Sequence, residues 1–445
     1  MISALPYLVV FALIFLVFVL PAFRSFRKEE AEARRMLEEA RASGRTEPTS
    51  IRPWVDPERC IGSGLCVAVC PEGDVLQVVD GVATLVNAAS CVGHGACAAA
   101  CPVGAIQLKF GSDRRGVDIP AVGPDFQTNV PGLYVAGELG GMGLIGNAIA
   151  QGVQAVDSVR ADRGTRPEGG LDLVIIGAGP AGIGASLQAK KHGLEHAVLE
   201  QDAFGGAILH FPRKKIIMTH GMQLPGRPKI GATTMTKQEL IDLLSAVIDE
   251  EQLPVSENER VVRVEPCDDG TFAVHTPDRV LRTARVILSV GRRGTPRKLG
   301  CAGEECDKVA YRLVDAEQVH HEHIMVVGGG DSAIEAACSL ALSDGNRVTL
   351  SYRKGNITRP KKKNRERLDT LVDLGKIELR LDTQVQEIAP DRVVLTHPER
   401  TEVVPNDRVY VFAGGVLPTE LLVDAGIQIE RHFGDRIEVL SEGRS

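Results

Sequence analysis

Charge-free and alternating stretches divide the chain before any composition is counted. Ile2–Phe23 carries no charged residue. As a helix it would reach roughly 33 Å, enough for a bilayer core, so it predicts a transmembrane helix over 1–23. Ser25–Ala42 mixes Glu, Arg and Ala at helical spacing, the pattern of a charged helical stalk. Gly44–Pro53 has no apolar period and reads as a linker, closing a stalk-and-linker segment over 24–50. Further on, two apolar strands, Leu171–Ile176 and Ile324–Val327, each run into a glycine-rich turn and then a helical pattern. Each is followed by a second short strand, Ala197–Leu199 and Arg347–Leu350. Strand, glycine turn, helix, strand is a βαβ unit, so the expected class is α/β with two Rossmann-like dinucleotide-binding domains.

Charge refines the N-terminal picture. Arg24, Arg27 and Lys28 follow the apolar run, whereas a cleaved signal peptide has its basic residues first. The positive-inside rule then predicts a single-pass protein, N-out and C-in, with its body on the cytoplasmic side of the cell membrane. A net charge of -7 gives no reason to expect nucleic acid as a partner.

Ten cysteines are present, and six of them fall in two similar motifs. These are Cys60-Ile-Gly-Ser63-Gly-Leu-Cys66-Val-Ala-Val-Cys70-Pro71 and Cys91-Val-Gly-His94-Gly-Ala-Cys97-Ala-Ala-Ala-Cys101-Pro102. A secreted disulfide scaffold would be shorter and denser in cysteine, so the setting is reducing and cytosolic. Structural zinc favours paired arms of closely spaced cysteines, which this spacing does not supply. Both motifs resemble the two-cluster run of bacterial ferredoxins, in which the fourth cysteine ligates the other cluster. The resemblance implies a small α+β ferredoxin-like domain over 51–112 and two iron–sulfur clusters. One would take Cys60, Cys66 and Cys101, the other Cys91, Cys97 and Cys70. Both copies depart at the second ligand, where Ser63 and His94 stand. Three-iron clusters, four-iron clusters with Ser63 or His94 on the fourth iron, and one empty degenerate site all remain open.

The first glycine turn is Gly177-Ala-Gly179-Pro-Ala-Gly182, and Glu200 ends the strand that follows. The first glycine turns the chain, the second admits a pyrophosphate, the third packs helix on strand, and the acid suits a ribose hydroxyl. The second turn is Gly328-Gly-Gly330-Asp331-Ser332-Ala333. Ser351 stands where an acid would; Arg353, Arg359 and Lys361–Lys363 follow. Guanidinium groups suit a 2′-phosphate, so NADPH is expected over NADH.

VIIGAGPAGIGASLQAKK, ILSVGRRGTPRKLG, MVVGGGDSAIEAA and VYVFAGGVLPTELL resemble the thioredoxin-reductase-like flavoproteins over roughly Val117 to Phe433. The resemblance implies that Gly177, Gly179, Gly182 and Glu200 hold FAD, and that Gly328, Gly330, Ser332 and Ala333 hold the nicotinamide nucleotide. One element is out of order. The family's closing FAD segment normally follows the nucleotide domain, but here its match, Thr128-Asn-Val-Pro131-Gly132-Leu-Tyr-Val-Ala-Gly137-Glu138, lies upstream. This predicts a circularly permuted FAD domain: a closing segment over 113–160 with Gly137 and Glu138 at the flavin, the FAD-binding domain over 171–295, the nucleotide domain over 296–404, and a return segment over 405–435. Arg160–Gly170 would be the joining linker.

The family's redox C-x-x-C is missing, since Cys338 has no partner at that spacing and four residues separate Cys301 from Cys306. The expected activity is therefore that of a membrane-anchored, NAD(P)H-dependent flavin oxidoreductase, with FAD passing electrons between the nicotinamide and the clusters. A redox protein or membrane quinone is the expected partner, and a homodimer is possible. The alternatives are a thiol/disulfide reductase using Cys301 and Cys306, or a non-enzymatic redox sensor. No general base is expected, and His320–His323 reads as a solvated turn.

Overall fold

The computed structural model describes residues 13, 15–42, 51–73, 75–88, 91, 93, 95–111, 116–141, 144–162, 164–211, 216–218, 222–228, 230, 234–292, 295–358, 360–416 and 418–433. They fall into two compact units, the first ending at Gly116 and the second spanning Val117–His432.

The first unit opens with a π-helical turn, Phe15–Val19, that leads into helix α1, Leu20–Ala42. The expected transmembrane helix is corrected here. Residues 2–12 and 14 lie outside the described residues, and among the described ones no helix is long and apolar enough to cross a membrane. Among the described residues, helix α1 begins at Leu20 and takes up Arg24, Arg27 and Lys28 within its first turns, which leaves its apolar part short. The single-pass, N-out/C-in placement, with the membrane and quinone partners tied to it, therefore falls.

Nor does the charged half of α1 stand free as a stalk. Ala33 is buried against Val79 and Val86, Met36 and Leu37 pack against this cluster, and Ala40, also buried, continues the helical stripe. Arg34 pairs with Asp80, and Glu30 Oε1 accepts from the Asp80 N–H at 3.2 Å. The rest of this unit is small. β1 (Ile51–Val55) pairs antiparallel with β4 (Ile106–Phe110). Between them lie α2 (Leu65–Ala68), the hairpin β2 (Leu76–Val79) and β3 (Val82–Leu85), and α3 (Ala96–Ala99).

In the second unit, β5 (Val117–Pro120) comes first, followed by β6 (Leu133–Val135), α4 (Ile145–Ala161), β7 (Leu171–Ile176), α5 (Pro180–Lys191) and β8 (His196–Leu199). Helix α6 (Lys237–Glu251) follows, started by a Thr236–Glu239 capping box. Then come β9 (Val255–Ser256), β10 (Arg263–Pro266), β11 (Phe272–His275) and β12 (Val280–Leu288). The sheet order is β9-β8-β7-β12-β11-β10. β6 also pairs parallel with the end of β12, through Leu133–Val286 to Val135–Leu288. Alternation along β7 sends Leu173 and Ile175 to one face and Val174 and Ile176 to the other. The first pair packs under α4 and α5, and the second packs with Phe272, Leu422 and Ile427.

The second sheet is all parallel, in the order β13 (Val309–Ala310), β20 (Arg408–Val411), β14 (His323–Val327), β15 (Arg347–Tyr352), β16 (Ile377–Leu381). Helices α7 (Asp331–Leu340) and α8 (Lys362–Asp373) accompany it. A three-stranded antiparallel sheet, β17 (Gln384–Ile388), β18 (Arg392–Thr396) and β19 (Thr401–Pro405), precedes β20. After helix α9 (Thr419–Asp424), the final strand β21 (Ile429–His432) pairs antiparallel with β5, His432 opposite Val117. The two ends of this unit therefore meet.

Candidate redox sites

The two cysteine motifs build two similar loops. Gly64 and Gly95 take left-handed φ values of 72° and 78° and start α2 and α3, which carry Cys66 and Cys97. One turn earlier, Gly62 also has positive φ, and a Cβ there would meet the Gly81 carbonyl oxygen at 2.4 Å. Glycine is thus required both for the turn and for the close approach.

Two cavities result. One is lined by Cys60, Ser63, Cys66 and Cys101, the other by Cys70, Cys91 and Cys97. Each cavity draws thiols from both motifs. Ser63 is exposed at the first, while His94 lies outside the described residues. Among the described residues no three metal-binding side chains converge on a single-ion site, so each set of thiols surrounds a cavity rather than a point. This donor chemistry fits iron–sulfur clusters. Backbone N–H groups of Ala83 and Ala105 donate to the Cys60 and Cys101 sulfurs at 3.4 and 3.2 Å, contacts of the kind that tune a cluster's potential. Burial pushes the Cys91 thiol up to about 11 and Cys97 up to about 12. Such thiols stay protonated at neutral pH until a cation offsets the lost hydration.

In the second unit, Gly177 has φ 105°, and a Cβ there would meet the Ser289 carbonyl at 2.7 Å. A Cβ on Gly182 would lie 1.8 Å from the Gly177 carbonyl oxygen, so α5 sits directly on the turn. Glu200 is buried and spans the turn's base, accepting from Ala178 N at 2.7 Å and Asp202 N at 3.2 Å. Burial raises its pKa, and these backbone donors work against the rise. Gly137 lies against the first turn of α5, where its Cβ would be 2.9 Å from the Ala181 Cβ. Its N–H donates to Gln151 Oε1 at 2.9 Å, and the half-buried Glu138 follows. Around Gly179, at the start of α5, a Cβ would find no atom nearer than 4.0 Å among the described residues. That open helix N-terminus fits a pyrophosphate.

The second turn repeats the design. Gly328 has φ 146°, with the Phe412 carbonyl 2.5 Å from where a Cβ would be. Gly329 carries the Tyr352 ring, which a Cβ would strike at 2.3 Å. Gly330 begins α7 with open space beside it, and Ser332 is exposed on its first turn. Arg353 is exposed just past the end of β15. Arg359 lies outside the described residues. Asp331 was not singled out from sequence. Its Oδ1 accepts from Lys361 N at 2.9 Å and Asn364 Nδ2 at 2.6 Å, fastening the basic segment to the glycine turn.

The family model for pyridine nucleotide-disulphide oxidoreductases matches residues 174–442. The chain belongs to this family. A 4Fe-4S dicluster domain matches residues 52–102. As a member of the family, this pyridine nucleotide-disulphide oxidoreductase is an NAD(P)H-dependent flavin enzyme whose cofactors are FAD, NAD(P)H and iron–sulfur clusters. It is similar to the bacilliredoxin reductase Bdr of Bacillus subtilis, 27% identical over 59% of this chain and 82% of that protein. It is also similar to a ferredoxin–NADP reductase of Ignicoccus hospitalis, 27% identical over 55% of this chain and 76% of that one. The bacillithiol disulfide reductase structure from Bacillus cereus shares the fold, with a TM-score of 0.53, 24% identity, and cover of 60% and 85%.

The remaining four thiols of the oxidoreductase line neither cysteine cavity. Cys338 is fully buried in α7, and burial pushes it up to about 11. Burial, with Glu304 nearby, also raises Cys301. Cys306 donates to the Ile388 carbonyl at 3.7 Å, and Cys267 accepts from Arg282 at 2.6 Å. All ten cysteines are free. His321 lies in a left-handed turn, φ 55°, with its side chain 72% exposed.

Proposed function

We propose that this enzyme oxidises NADPH and delivers the electrons, through FAD and its own two clusters, to a ferredoxin-type carrier protein. The observation that carries the reading is the pair of cysteine-lined cavities, in a chain where Cys338 is buried and burial raises Cys301. FAD, when bound, takes two electrons as hydride from a nicotinamide and can release them singly, which joins nucleotide chemistry to cluster chemistry.

The chain's own part is placement. Gly177, Gly179, Gly182, Glu200, Gly137 and Glu138 are the proposed FAD contacts, and Gly328, Gly330 and Ser332 the nucleotide contacts. Arg353, with Arg359, supplies the preference for a 2′-phosphate. Cys60, Cys66 and Cys101 hold one cluster, and Cys91, Cys97 and Cys70 the other.

The test is anaerobic EPR of the purified protein before and after NADPH. Cluster signals that change on NADPH support the path; bleached flavin with unchanged cluster signals refutes it. The bacilliredoxin-reductase relative favours a second reading, a disulfide reductase using Cys301 and Cys306. Replacing both with Ser would abolish that activity and leave cluster reduction intact.

A further inference from the structure

One half-buried cation in the second unit has a buried donor without an acceptor among the described residues. Arg292 follows β12 and Gly291, in the stretch that leaves the first sheet. Its Nη2 donates to the Asp118 carbonyl oxygen at 2.9 Å. Its Nη1 is buried and has no hydrogen-bond partner among the described residues. The Asp118 carboxylate is itself taken up by Arg431, at 2.7 and 2.9 Å. Desolvation weighs most on Arg292 and lowers its pKa, while the charges of Glu138 and Asp118 support the guanidinium. A buried donor left unpaired carries its full desolvation penalty, so such a group calls for an acceptor that the described residues do not provide.

The position of this donor points to the acceptor. Glu138 is close enough to act on Arg292 electrostatically and is the neighbour of Gly137. Gly137 in turn lies against Ala181, in the first turn of α5. Glu138 and Gly137 thus link Arg292 to the first turn of α5. A dinucleotide placed there brings two phosphate charges beside the Glu138 carboxylate, a repulsion that a guanidinium can offset. Arginine is the side chain suited to this, because its planar fork can keep one bond to Asp118 O and give another to a phosphate oxygen.

We propose that Arg292 is a further FAD-binding residue, donating from Nη1 to an oxygen of the cofactor's pyrophosphate and compensating Glu138. This rests on the assignment of FAD to the Gly177–Gly182 turn.

The experiment titrates flavin-free protein with FAD, following flavin fluorescence, for wild type, Arg292→Met and Arg292→Lys. Loss of one partner from a buried charged hydrogen bond predicts a Kd raised by roughly 30-fold or more in Arg292→Met. Arg292→Lys keeps the charge without the fork and should fall between Arg292→Met and wild type, which also covers the case in which the Met variant fails to fold. The reduction potential of bound FAD should stay at its wild-type value in Arg292→Lys. Unchanged affinity in either folded variant overturns the proposal. So does unchanged affinity with a shifted potential, which would put the guanidinium on the flavin ring. The titration needs neither clusters nor NADPH, so its failure leaves the proposed electron path standing, and unreduced clusters would leave this assignment standing.

Discussion

Gly152→Ala sets two effects of opposite sign against each other. Gly152 is in the middle of α4, the helix that follows the upstream closing segment. On an exposed helix the change would stabilise by about 1 kcal/mol, through helix propensity. Here the added Cβ would lie 2.0 Å from the Ala181 carbonyl oxygen of α5, and 3.0 Å from Ala181 C and Ala185 N. The first distance is 1.4 Å short of the 3.4 Å at which ordinary contact begins. The obstacle is backbone, which cannot rotate away, and the approach is reciprocal: a Cβ on Gly184 would be 2.8 Å from the Ile149 carbonyl oxygen. Overpacking a tight core costs about 1–3 kcal/mol, and a clash with backbone lies at the upper end of that range, so the steric term should win by about 1–2 kcal/mol. For a unit of this size that lowers the Tm by roughly 2–8 °C. Because α5 carries the glycine turn, the flavin should leave in the same transition. The assay is thermal unfolding followed together by circular dichroism and flavin fluorescence. A Tm equal to wild type or higher would mean that propensity governs, that α4 does not sit against α5, and that the close helix pair described above is wrong.

Other outcomes can be checked singly. Arg353→Ser should lower kcat/KM for NADPH by roughly 10- to 100-fold, the worth of one charge-assisted bond, with NADH little affected; equal losses for both nucleotides would remove Arg353 from the 2′-phosphate. Ser63→Cys would give the Cys60, Cys66 and Cys101 cavity a fourth thiol, so iron should be lost to a chelator more slowly than from wild type, and identical release would take Ser63 out of the ligand position. His196 is held neutral: burial lowers its pKa below 6.5 and outweighs the opposing bond to the Leu194 carbonyl. Since the unfolded chain then binds more protons, His196 contributes stability that is present above pH 6.5 and is lost as pH falls below it. His196→Gln should flatten that part of the stability–pH curve measured by urea unfolding, and an unaltered curve would refute the assignment.

What could be foreseen from sequence was local. The glycine turns were legible because each glycine answers a short-range demand, a positive φ or a carbonyl within about 3 Å, that no other residue satisfies. The crossed grouping of the cysteines was available only as what the resemblance to the two-cluster ferredoxin run implies. Less local features were hidden. The stripe Ala33, Met36, Leu37 and Ala40 in α1 was visible in principle, but its small residues are masked by Arg and Glu on every other position, so the helix read as solvated. The apolar N-terminal run was over-read, because length and hydropathy say nothing about where a regular helix starts. Asp331 and Arg292 were missed for another reason. Their partners, Asn364 in one case and Asp118 with Glu138 in the other, are far away in the chain and carry no motif.

The strand β6 shows how a nonlocal arrangement can still be economical. β6 enters the first sheet beside β12 even though it is made before β7. Two conditions allow this. The ends of the unit must be close, and they are: β5 and β21 are paired, with Asp118 and Arg431 bridged across them. The new join must also span α4 to β7 without loosening either, and it is pinned at both ends. Arg285 holds Asp162 through its carbonyl at 2.9 Å and its carboxylate at 3.1 Å, and Tyr134 of β6 donates to the same carboxylate at 3.3 Å. At the far end Arg166 donates to the Gly170 carbonyl at 2.7 Å and pairs with Glu195 at 2.6 Å. Loop-closure entropy grows only slowly with length, so a short join fastened at both ends adds little to the cost of folding. A strand made before β7 can therefore join the sheet that supports the glycine turn without a long, loose connection.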